Sequence, residues 1–398
     1  MRSFTKAGVG ARIGRVAFSL AAAALIAGAF GACNNDYGIY ASIQQETPGS
    51  TSGPFYKTSV AKVLKFAVDS KFYAQRSTLA SSADGTTNWT TVSIGSFGTN
   101  YACIGFGATT TALWAVIDGA GLYTSTNGST WTQAIADPTS NQTNSPMIDN
   151  LFVAGNTVFI EYHNELGTTS TSTDDTYSLA TVSGTTPTAV TLSGISTNTS
   201  ITGIAYDGTN YWITTTSGVY SAGSSAGPFA LDSSAPSGKL DSIAASGSAG
   251  TIYVGSDAGY AYKHTGSGWT ASPALTYAVT ALTEVPVATS VSSGGFVLLA
   301  GLGANSSTLS SSSINYGYVQ IDPANFTATP VGGESSAIVN GNSTNYDITL
   351  LYKPVNDFYF DGASGRLFAG TASANISGAT GLFTATVSGT TWSGWSTE

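Results

Sequence analysis

The sequence has few ionisable side chains, and most of them are acidic. Charged residues make up 9% of the 398 residues, with 13 Lys and Arg against 22 Asp and Glu. Four of the basic residues precede Cys33, so nine basic and 22 acidic residues follow it. Nucleic-acid affinity comes largely from Lys and Arg that neutralise phosphates, so this composition argues against a nucleic-acid-binding function.

Histidine and cysteine are scarcer still. The histidines are His163 and His264 alone, which excludes a metal site built from several imidazoles. The cysteines are Cys33 and Cys103, and the chain has no Ser-His-Asp spacing and no phosphate-binding loop. Cys103 lies in an apolar run and is predicted to be a small buried residue on an inner strand. We predict no cofactor.

The first 32 residues have the pattern of a secretory signal, with an apolar stretch too short and too rich in alanine to be a secure membrane span. Small residues before Cys33 resemble a bacterial lipobox, in which the chain is cut before the cysteine and the cysteine is lipidated. We therefore predict that Cys33 carries a lipid that anchors the protein to a membrane of a bacterial cell envelope, on the periplasmic side or at the surface. An ordinary secretory signal with an incidental cysteine is the alternative. The basic residues ahead of the apolar stretch are Arg2, Lys6, Arg12 and Arg15.

Apolar and aromatic residues recur in a fixed order along the rest of the chain. Each copy has an apolar inner run, a second apolar run, a run that opens on glycine and an aromatic, and a turn that ends on an aromatic. About seven copies follow residue 60, at a period of about 45–50 residues; clear ones span residues 201–229 and 240–269. Four short strands per unit at this period are typical of β-propeller blades. We predict an all-β, seven-bladed β-propeller that is a monomer.

The predicted blades follow a short N-terminal segment. Residues 33–59 are predicted to be a lipidated tether with one strand segment, and residues 60–398 the propeller. A half-blade from residues 37–59 could raise the number to eight, and seven is favoured. The second strands, apolar on both faces because sheets stack on each side, are predicted at residues 72–74, 113–116, 158–160, 211–213, 252–254, 296–298 and 367–369. The blades themselves are predicted at residues 60–95, 100–136, 147–194, 200–233, 239–273, 277–332 and 346–396.

Two segments resemble the Asp-box, or BNR, repeats of sialidases and related propellers. They are residues 82–89 (SADGTTNW) and 125–131 (STNGSTW), with weaker echoes at residues 265–269 and 387–392. The resemblance implies a turn between the third and fourth strands in which an Asp or Asn side chain bonds the turn backbone and glycine takes a positive φ. It also implies that Trp89 and Trp131 pack between sheets. Such turns lie on the face away from the usual binding site and identify no activity.

The resemblance does not supply a sialidase active site. Sialidases of this fold hold a carboxylate with three arginines, whereas only Arg76 and Arg366 follow Cys33. Lysine does not replace the bidentate guanidinium. We predict that the protein is not an enzyme.

Carboxylates at the turns between second and third strands are the remaining candidates for a site. Asp118, Glu165 and Asp257 are predicted there, on the face where propellers usually bind, and we take them as candidate binding residues. Two facing carboxylates suffice for glycoside hydrolysis, but 16 Asp and six Glu produce such sets by chance.

The densest polar cluster is residues 161–165. In an extended strand Glu161, His163 and Glu165 share one side, which could form a metal or acid–base site. The simpler interpretation is a polar strand end that enters a loop, and we predict no metal. Asp174 and Asp175, in a Ser/Thr-rich loop, are predicted to form a solvated turn and not a calcium site.

Three functions follow from these observations. The favoured one is a lipid-anchored, extracytoplasmic scaffold that binds an envelope protein or a glycan without catalysis. The alternative is a glycan-active enzyme or lectin that uses blade-top loops, and the third is a structural coat lipoprotein. Loops on a rigid scaffold commonly carry recognition, and the long ones are predicted at residues 136–147, 302–315 and 332–346.

Overall fold

The computed structural model describes most of the chain that follows residue 54. The described residues are 55, 58–137, 147–164, 175–266, 268–275, 277–286, 295–304, 317–329, 331–332, 350, 353–372, 381–388 and 391–398. The predicted signal peptide, Cys33 and nearly all of the tether therefore lie outside the described residues, as does the segment proposed for an eighth blade, apart from Phe55, Thr58 and Ser59.

The described strands form seven antiparallel sheets, each with four strand positions in chain order, which confirms the predicted seven-bladed β-propeller. In blade 7 two short segments, Thr391–Trp392 and Ser396–Thr397, both pair with the third strand at the outer edge. The strands of blades 1 to 4 are Lys62–Lys65, Phe72–Gln75, Leu79–Ser82 and Thr90–Thr91; Cys103–Ala108, Leu113–Ile117, Gly121–Ser125 and Thr132–Ala136; Met147–Ala154, Thr157–Asn164, Thr176–Ser183 and Thr186–Ala189; Ile201–Tyr206, Tyr211–Thr215, Val219–Ala222 and Ala230–Leu231. Those of blades 5 to 7 are Leu240–Ala245, Ile252–Ser256, Ala261–Thr265 and Gly268–Ala271; Ala278–Val285, Val297–Gly303, Gly317–Ile321 and Val331–Gly332; Val355–Asp361, Arg366–Thr371, Leu382–Ser388, Thr391–Trp392 and Ser396–Thr397.

Helix is almost absent from the described part of the chain. Its one helical element is a single 3-10 turn, Gly95–Phe97, in the connection between blades 1 and 2. Within the described ranges, no helix has the length and apolar character needed to cross a lipid bilayer.

The hydrophobic core is divided among the spaces between blades. Buried apolar side chains form seven clusters, and each cluster joins one blade to the next around the ring. The second strands are buried on both faces because they lie between two neighbouring sheets, as in Leu113–Ile117, where all five residues are buried. A single blade could not bury these residues, so the ring depends on stacking of all its members.

The first strands of blades 2 to 7 all contain a β-bulge near their start. One extra residue interrupts the pairing with the second strand, and in all six blades this residue is half-buried. A bulge bends the strand and redirects the side chains beside it. The extra residues are Ile104, Asp149, Thr202, Asp241, Thr280 and Asn356.

Beside the bulge, one second-strand position forms the joint to the next blade. In blade 6 it is Gly301, where an added Cβ would lie 2.8 Å from Cβ of Val355 in blade 7. In blade 5 it is Gly255, where an added Cβ would lie 2.4 Å from the backbone oxygen of Val279 in blade 6. Only glycine permits so close an approach. We name this second-strand position the joint position, because one blade contacts the next there.

Polar contacts close the ring between blades 7 and 1. The backbone N–H of Val60 donates to the Thr371 oxygen at 3.0 Å, and the Val63 N–H donates to Asp357 Oδ2 at 2.8 Å. The Lys65 ammonium lies 2.9 Å from Asp361 Oδ2. These contacts link the first and last blades through side chains and the short segment before blade 1.

The two segments that resemble Asp-box repeats form the expected turns between third and fourth strands. Asp84 Oδ1 accepts hydrogen bonds from the backbone N–H groups of Thr86 and Thr87 at 2.9 and 2.8 Å. Asn127 Oδ1 accepts equivalent bonds from Ser129 and Thr130 at 3.0 and 2.8 Å. The glycine after each, Gly85 or Gly128, has a positive φ of 77° or 70°. Trp89 and Trp131 are buried between blades, as expected.

The two weaker echoes differ from this geometry. In blade 5, Thr265 pairs directly with Gly268, which leaves no room for a turn of the Asp-box kind, and Trp269 is half-buried. In blade 7 the buried tryptophan is Trp395, which donates from Nε1 to the Tyr318 hydroxyl at 3.2 Å. The side chain of Trp392 lies outside the described residues.

Cys103 is fully buried, as predicted, in the cluster between blades 1 and 2. Its thiol donates to the Gly105 oxygen at 3.4 Å, and burial raises the thiol pKa. A thiol in this state is a poor nucleophile, which agrees with a packing role.

Candidate functional site

Antiparallel blades give the ring two distinct faces. Turns between second and third strands, together with the connections from blade to blade, lie on one face, which we name the upper face. Turns between first and second strands and between third and fourth strands lie on the opposite face, which we name the lower face. The Asp84 and Asn127 turns are therefore on the lower face, and any site built from second-to-third-strand turns is on the upper face.

The upper face carries Asp118 and Asp257 at equivalent positions, each directly after a second strand. The Asp118 N–H donates to the Ala102 oxygen at 2.9 Å, and the Asp257 N–H donates to the Lys239 oxygen at 3.0 Å, which fixes both backbones beside the start of a first strand. Asp118 is exposed and Asp257 is half-buried. The two belong to blades 2 and 5, so blades 3 and 4 separate them, and Glu165 lies outside the described residues.

Glu161 occupies the joint position of blade 3 and is fully buried. Its Oε1 accepts the backbone N–H of Ile201 in blade 4 at 2.8 Å, and its Oε2 accepts Asn150 Nδ2 at 2.8 Å. Burial raises the pKa of Glu161 to about 8, against the lowering effect of these two donors. Gln75 occupies the same position in blade 1 and donates to the Cys103 oxygen of blade 2 at 3.1 Å. Glu161 is thus a structural contact between blades.

His163 lies on the same side of its strand as Glu161, because alternate residues share a side. It is buried and stacks on Tyr177, with ring centroids 4.8 Å apart and an interplanar angle of 8°. Its Nδ1 lies 3.7 Å from Asp149 Oδ2, and its Nε2 lies 3.2 Å from Asp175 Oδ2. The imidazole therefore lies between two carboxylates at the upper end of blade 3.

Asp175 departs from the sequence-based expectation of a solvated turn. It is 7% exposed and contacts His163, so its carboxylate is part of the packed end of blade 3. The prediction was wrong for Asp175. Composition indicates that this segment is a polar loop, but it does not show that Asp175 contacts the buried His163. Asp174 lies outside the described residues.

Asp137 follows the last strand of blade 2 and forms a second acidic group beside Asp118. Its Oδ1 accepts the backbone N–H of Ile148 at 3.0 Å. Burial raises the pKa of Asp137, and the negative charge of Asp118 adds to the rise. The upper ends of blades 2 and 3 thus carry four carboxylates with one imidazole: Asp118, Asp137, Asp149, Asp175 and His163.

Nothing in the described ranges places three His, Cys, Asp or Glu side chains in an arrangement that could hold a metal ion. Asp137 accepts the Ile148 backbone N–H, and Asp149 and Asp175 both face the His163 imidazole.

Sequence reasoning did not find Asp137 or Asp149. Asp137 directly follows a predicted outer strand, which places it in a blade-to-blade connection, and this signal could have found it. Asp149 is the extra residue of a bulge, which no residue pattern in the chain reveals.

Comparison with known proteins identifies the fold and no family. No protein-family model matches the sequence, and no curated protein matches it. Among solved structures, the extracellular domain of a Bacteroides thetaiotaomicron protein described as a hybrid two-component system superposes with a TM-score of 0.52 at 15% identity, over 82% of this chain and 38% of that one. A GH74 enzyme from Niastella koreensis superposes with a TM-score of 0.54 at 14% identity, over 86% of this chain and 54% of that one. At such identity the likeness shows the β-propeller fold alone. This chain spans about half of the enzyme and less than half of the Bacteroides extracellular domain.

Proposed function

We propose that this protein is a lipid-anchored, extracytoplasmic β-propeller that binds a partner at its upper face without catalysis. The observation that carries the proposal is that Glu161 forms a structural contact between blades 3 and 4. This buried carboxyl has the raised pKa of a general acid, but both of its oxygens accept hydrogen bonds within the fold. A strongly perturbed carboxyl is a candidate for catalysis only when it faces a cleft, and Glu161 faces blade 4.

The excess of acidic residues in blades 2 to 4 favours a positively charged partner. No Lys or Arg occurs between Arg76 and Lys239, a stretch with ten acidic residues that includes all of blades 2, 3 and 4. On the upper face of this sector lie Asp118, Asp137 and Asp149. A positively charged segment of an envelope protein fits such a surface, and complementary charge speeds and orients association.

The binding experiment uses full-length protein in detergent. We expect it to retain an envelope protein with a basic segment at low salt and to release it at about 0.5 M salt, because exposed charges are screened there. The double substitution Asp118→Asn with Asp149→Asn should weaken retention, and Asp322→Asn, on the lower face of blade 6, is the matched control. Retention that depends on neither salt nor these aspartates would contradict the proposal.

A glycan-active enzyme is the second candidate, and the Asp118–Asp137 pair is the observation that favours it. Two interacting carboxylates, one with a raised pKa, are what acid–base hydrolysis of a glycosidic bond requires. Turnover of any member of a glycan panel by the purified protein, lost in Asp118→Asn and in Asp137→Asn, would establish the enzyme and refute the scaffold.

The lipid anchor has a separate test. Cys33→Ser protein should leave the detergent phase and fail to incorporate labelled fatty acid, whereas Cys103→Ser protein should behave as the wild type. Unchanged partition and labelling of Cys33→Ser would show that the anchor does not depend on this cysteine.

A further inference from the structure

The lower face holds a cavity of about 190 Å³ between blades 5 and 6, far from the acidic upper face. Residues from the first-to-second-strand turn of blade 5 form one wall, and the third-to-fourth-strand turn of blade 6 forms the other. Pockets for drug-sized ligands measure about 300–1,000 Å³, so this one suits a molecule of about one ring. Its described lining includes Ser246, Ser248, Tyr253, Lys263, Glu284 and Phe296.

The carboxylate of Glu284 is held in place by blade 5. Its Oε2 accepts the Ser246 hydroxyl at 2.5 Å and the Gly247 N–H at 2.9 Å, and its Oε1 lies 3.4 Å from the Tyr253 hydroxyl. A carboxylate has about four acceptor positions, so one remains for a ligand hydroxyl. The acceptor is therefore fixed before any ligand arrives, which lowers the entropic cost of binding.

Lys263 supplies donors on the same cavity. Its ammonium donates to the backbone oxygen of Pro323 in blade 6 at 2.7 Å, which holds the side chain across the gap between the blades. An ammonium has three donors, so about two remain for ligand oxygens. Fixed donor and acceptor groups thus line one small space.

Phe296 adds an apolar surface at the cavity. It is 43% exposed, and of the four large hydrophobic side chains that are exposed in the described ranges it is the one aromatic. Exposed aromatic surface at a concave polar site is a mark of binding. A sugar ring presents C–H groups on one face and hydroxyls at its edge, so an aromatic ring beside fixed donors and acceptors matches both parts.

We propose that this cavity binds a single pyranose unit of a glycan, with the ring against Phe296 and its hydroxyls bonded to Glu284 and Lys263. This site does not depend on the upper-face proposal, because it uses blades 5 and 6 and the opposite face.

The experiment measures binding of four probes, the methyl glycosides of glucose, galactose, mannose and N-acetylglucosamine, to full-length protein by ligand-observed NMR and calorimetry. At least one should bind with a dissociation constant of about 1–10 mM, the range for a small, shallow site. Phe296→Ala and Lys263→Met should each weaken that binding about tenfold or more. Val68→Ala is the matched control, because Val68 is an exposed side chain on the lower face of blade 1.

Two outcomes would overturn the proposal. One is that none of the four glycosides binds with a dissociation constant of about 10 mM or lower, since about 10 mM is the highest dissociation constant expected for so small a contact. The other is binding that is unchanged in both Phe296→Ala and Lys263→Met. Phe296 is exposed, so its substitution should leave the melting temperature within about 2 °C of the wild type, and loss of binding can be separated from unfolding.

Discussion

The carboxyl group of Glu161 accepts the backbone N–H of Ile201 at 2.8 Å and so joins blade 3 to blade 4. Blades 5, 6 and 7 fill this position with glycine, such as Gly301, and bring the backbones together directly. Blade 3 instead keeps a side chain there and buries an ionisable group. A carboxyl that the sequence offers as one member of an acid–base site is therefore part of the packing between blades.

Substitution of Glu161 should change how stability depends on pH. Burial raises the pKa of Glu161 to about 8, whereas the ordinary pKa of a glutamate is near 4.5. The contribution of Glu161 to folding stability is therefore complete below about pH 4.5 and is lost as pH rises through about 8. Glu161→Gln keeps an oxygen for Ile201, and the Asn150 amide can rotate to accept from the new amide. We expect the variant to be more stable than the wild type at pH 9 by roughly 2–4 kcal/mol, because no buried charge forms.

Denaturant unfolding at intervals between pH 4 and pH 9 measures this effect. The difference between the two proteins should grow across the window from about 4.5 to about 8. An identical pH profile in wild type and variant would show that Glu161 does not titrate in the folded protein.

Trp131 should stabilise the fold and take no part in binding. It is 6% exposed in the cluster between blades 1 and 2, and truncation of a buried large aromatic costs about 3–5 kcal/mol. Trp131→Ala should therefore lower the unfolding free energy by about that amount. Leu231→Ala is the control, because Leu231 is 55% exposed and should change stability by less than about 0.5 kcal/mol. Unchanged melting with lost partner binding would instead make Trp131 a recognition residue.

Gly128 and Gly184 form a matched pair for the third-to-fourth-strand turns. Both have positive φ, 70° and 63°, but only Gly128 lacks space: an added Cβ would lie 1.9 Å from the Tyr73 hydroxyl, whereas Gly184 has nothing within 4 Å. Gly184→Ala should cost about 1–2 kcal/mol from backbone strain alone. Gly128→Ala should cost at least about twice as much, because Tyr73 must also move. Equal losses in thermal unfolding would show that the Tyr73 contact is not rigid.

His264 should make stability fall in mild acid. Its ring contacts both Trp212 and Trp269, with centroids 4.7 and 4.9 Å away, and burial lowers its pKa against the opposing charges of Asp232 and Asp207. The unfolded chain takes up a proton first, so the contribution of His264 is complete above about pH 6.5 and is lost as pH falls through the folded-state pKa. His264→Phe keeps an aromatic ring and should flatten this part of the profile. A profile in the variant that matches the wild type below pH 6.5 would contradict the assignment.

The sequence alone determined the repeat, and the repeat determined the fold. The apolar runs of each unit can be buried only by stacking units, so blade number, second strands and the Asp84 and Asn127 turns follow from local patterns. Trp89 and Trp131 were predictable for the same reason, since a turn fixes where the next side chain points.

Tertiary structure decided what the polar residues do. The role of Glu161 depends on the Ile201 N–H of the next blade, and the burial of Asp175 depends on His163 across a loop. The pocket beside Phe296 draws its walls from two blades whose lining residues are up to about 80 positions apart. The periodicity of apolar residues and their strand propensity describe only a few neighbouring residues. These contacts join residues that the fold of the whole ring brings together, so no local pattern could specify them.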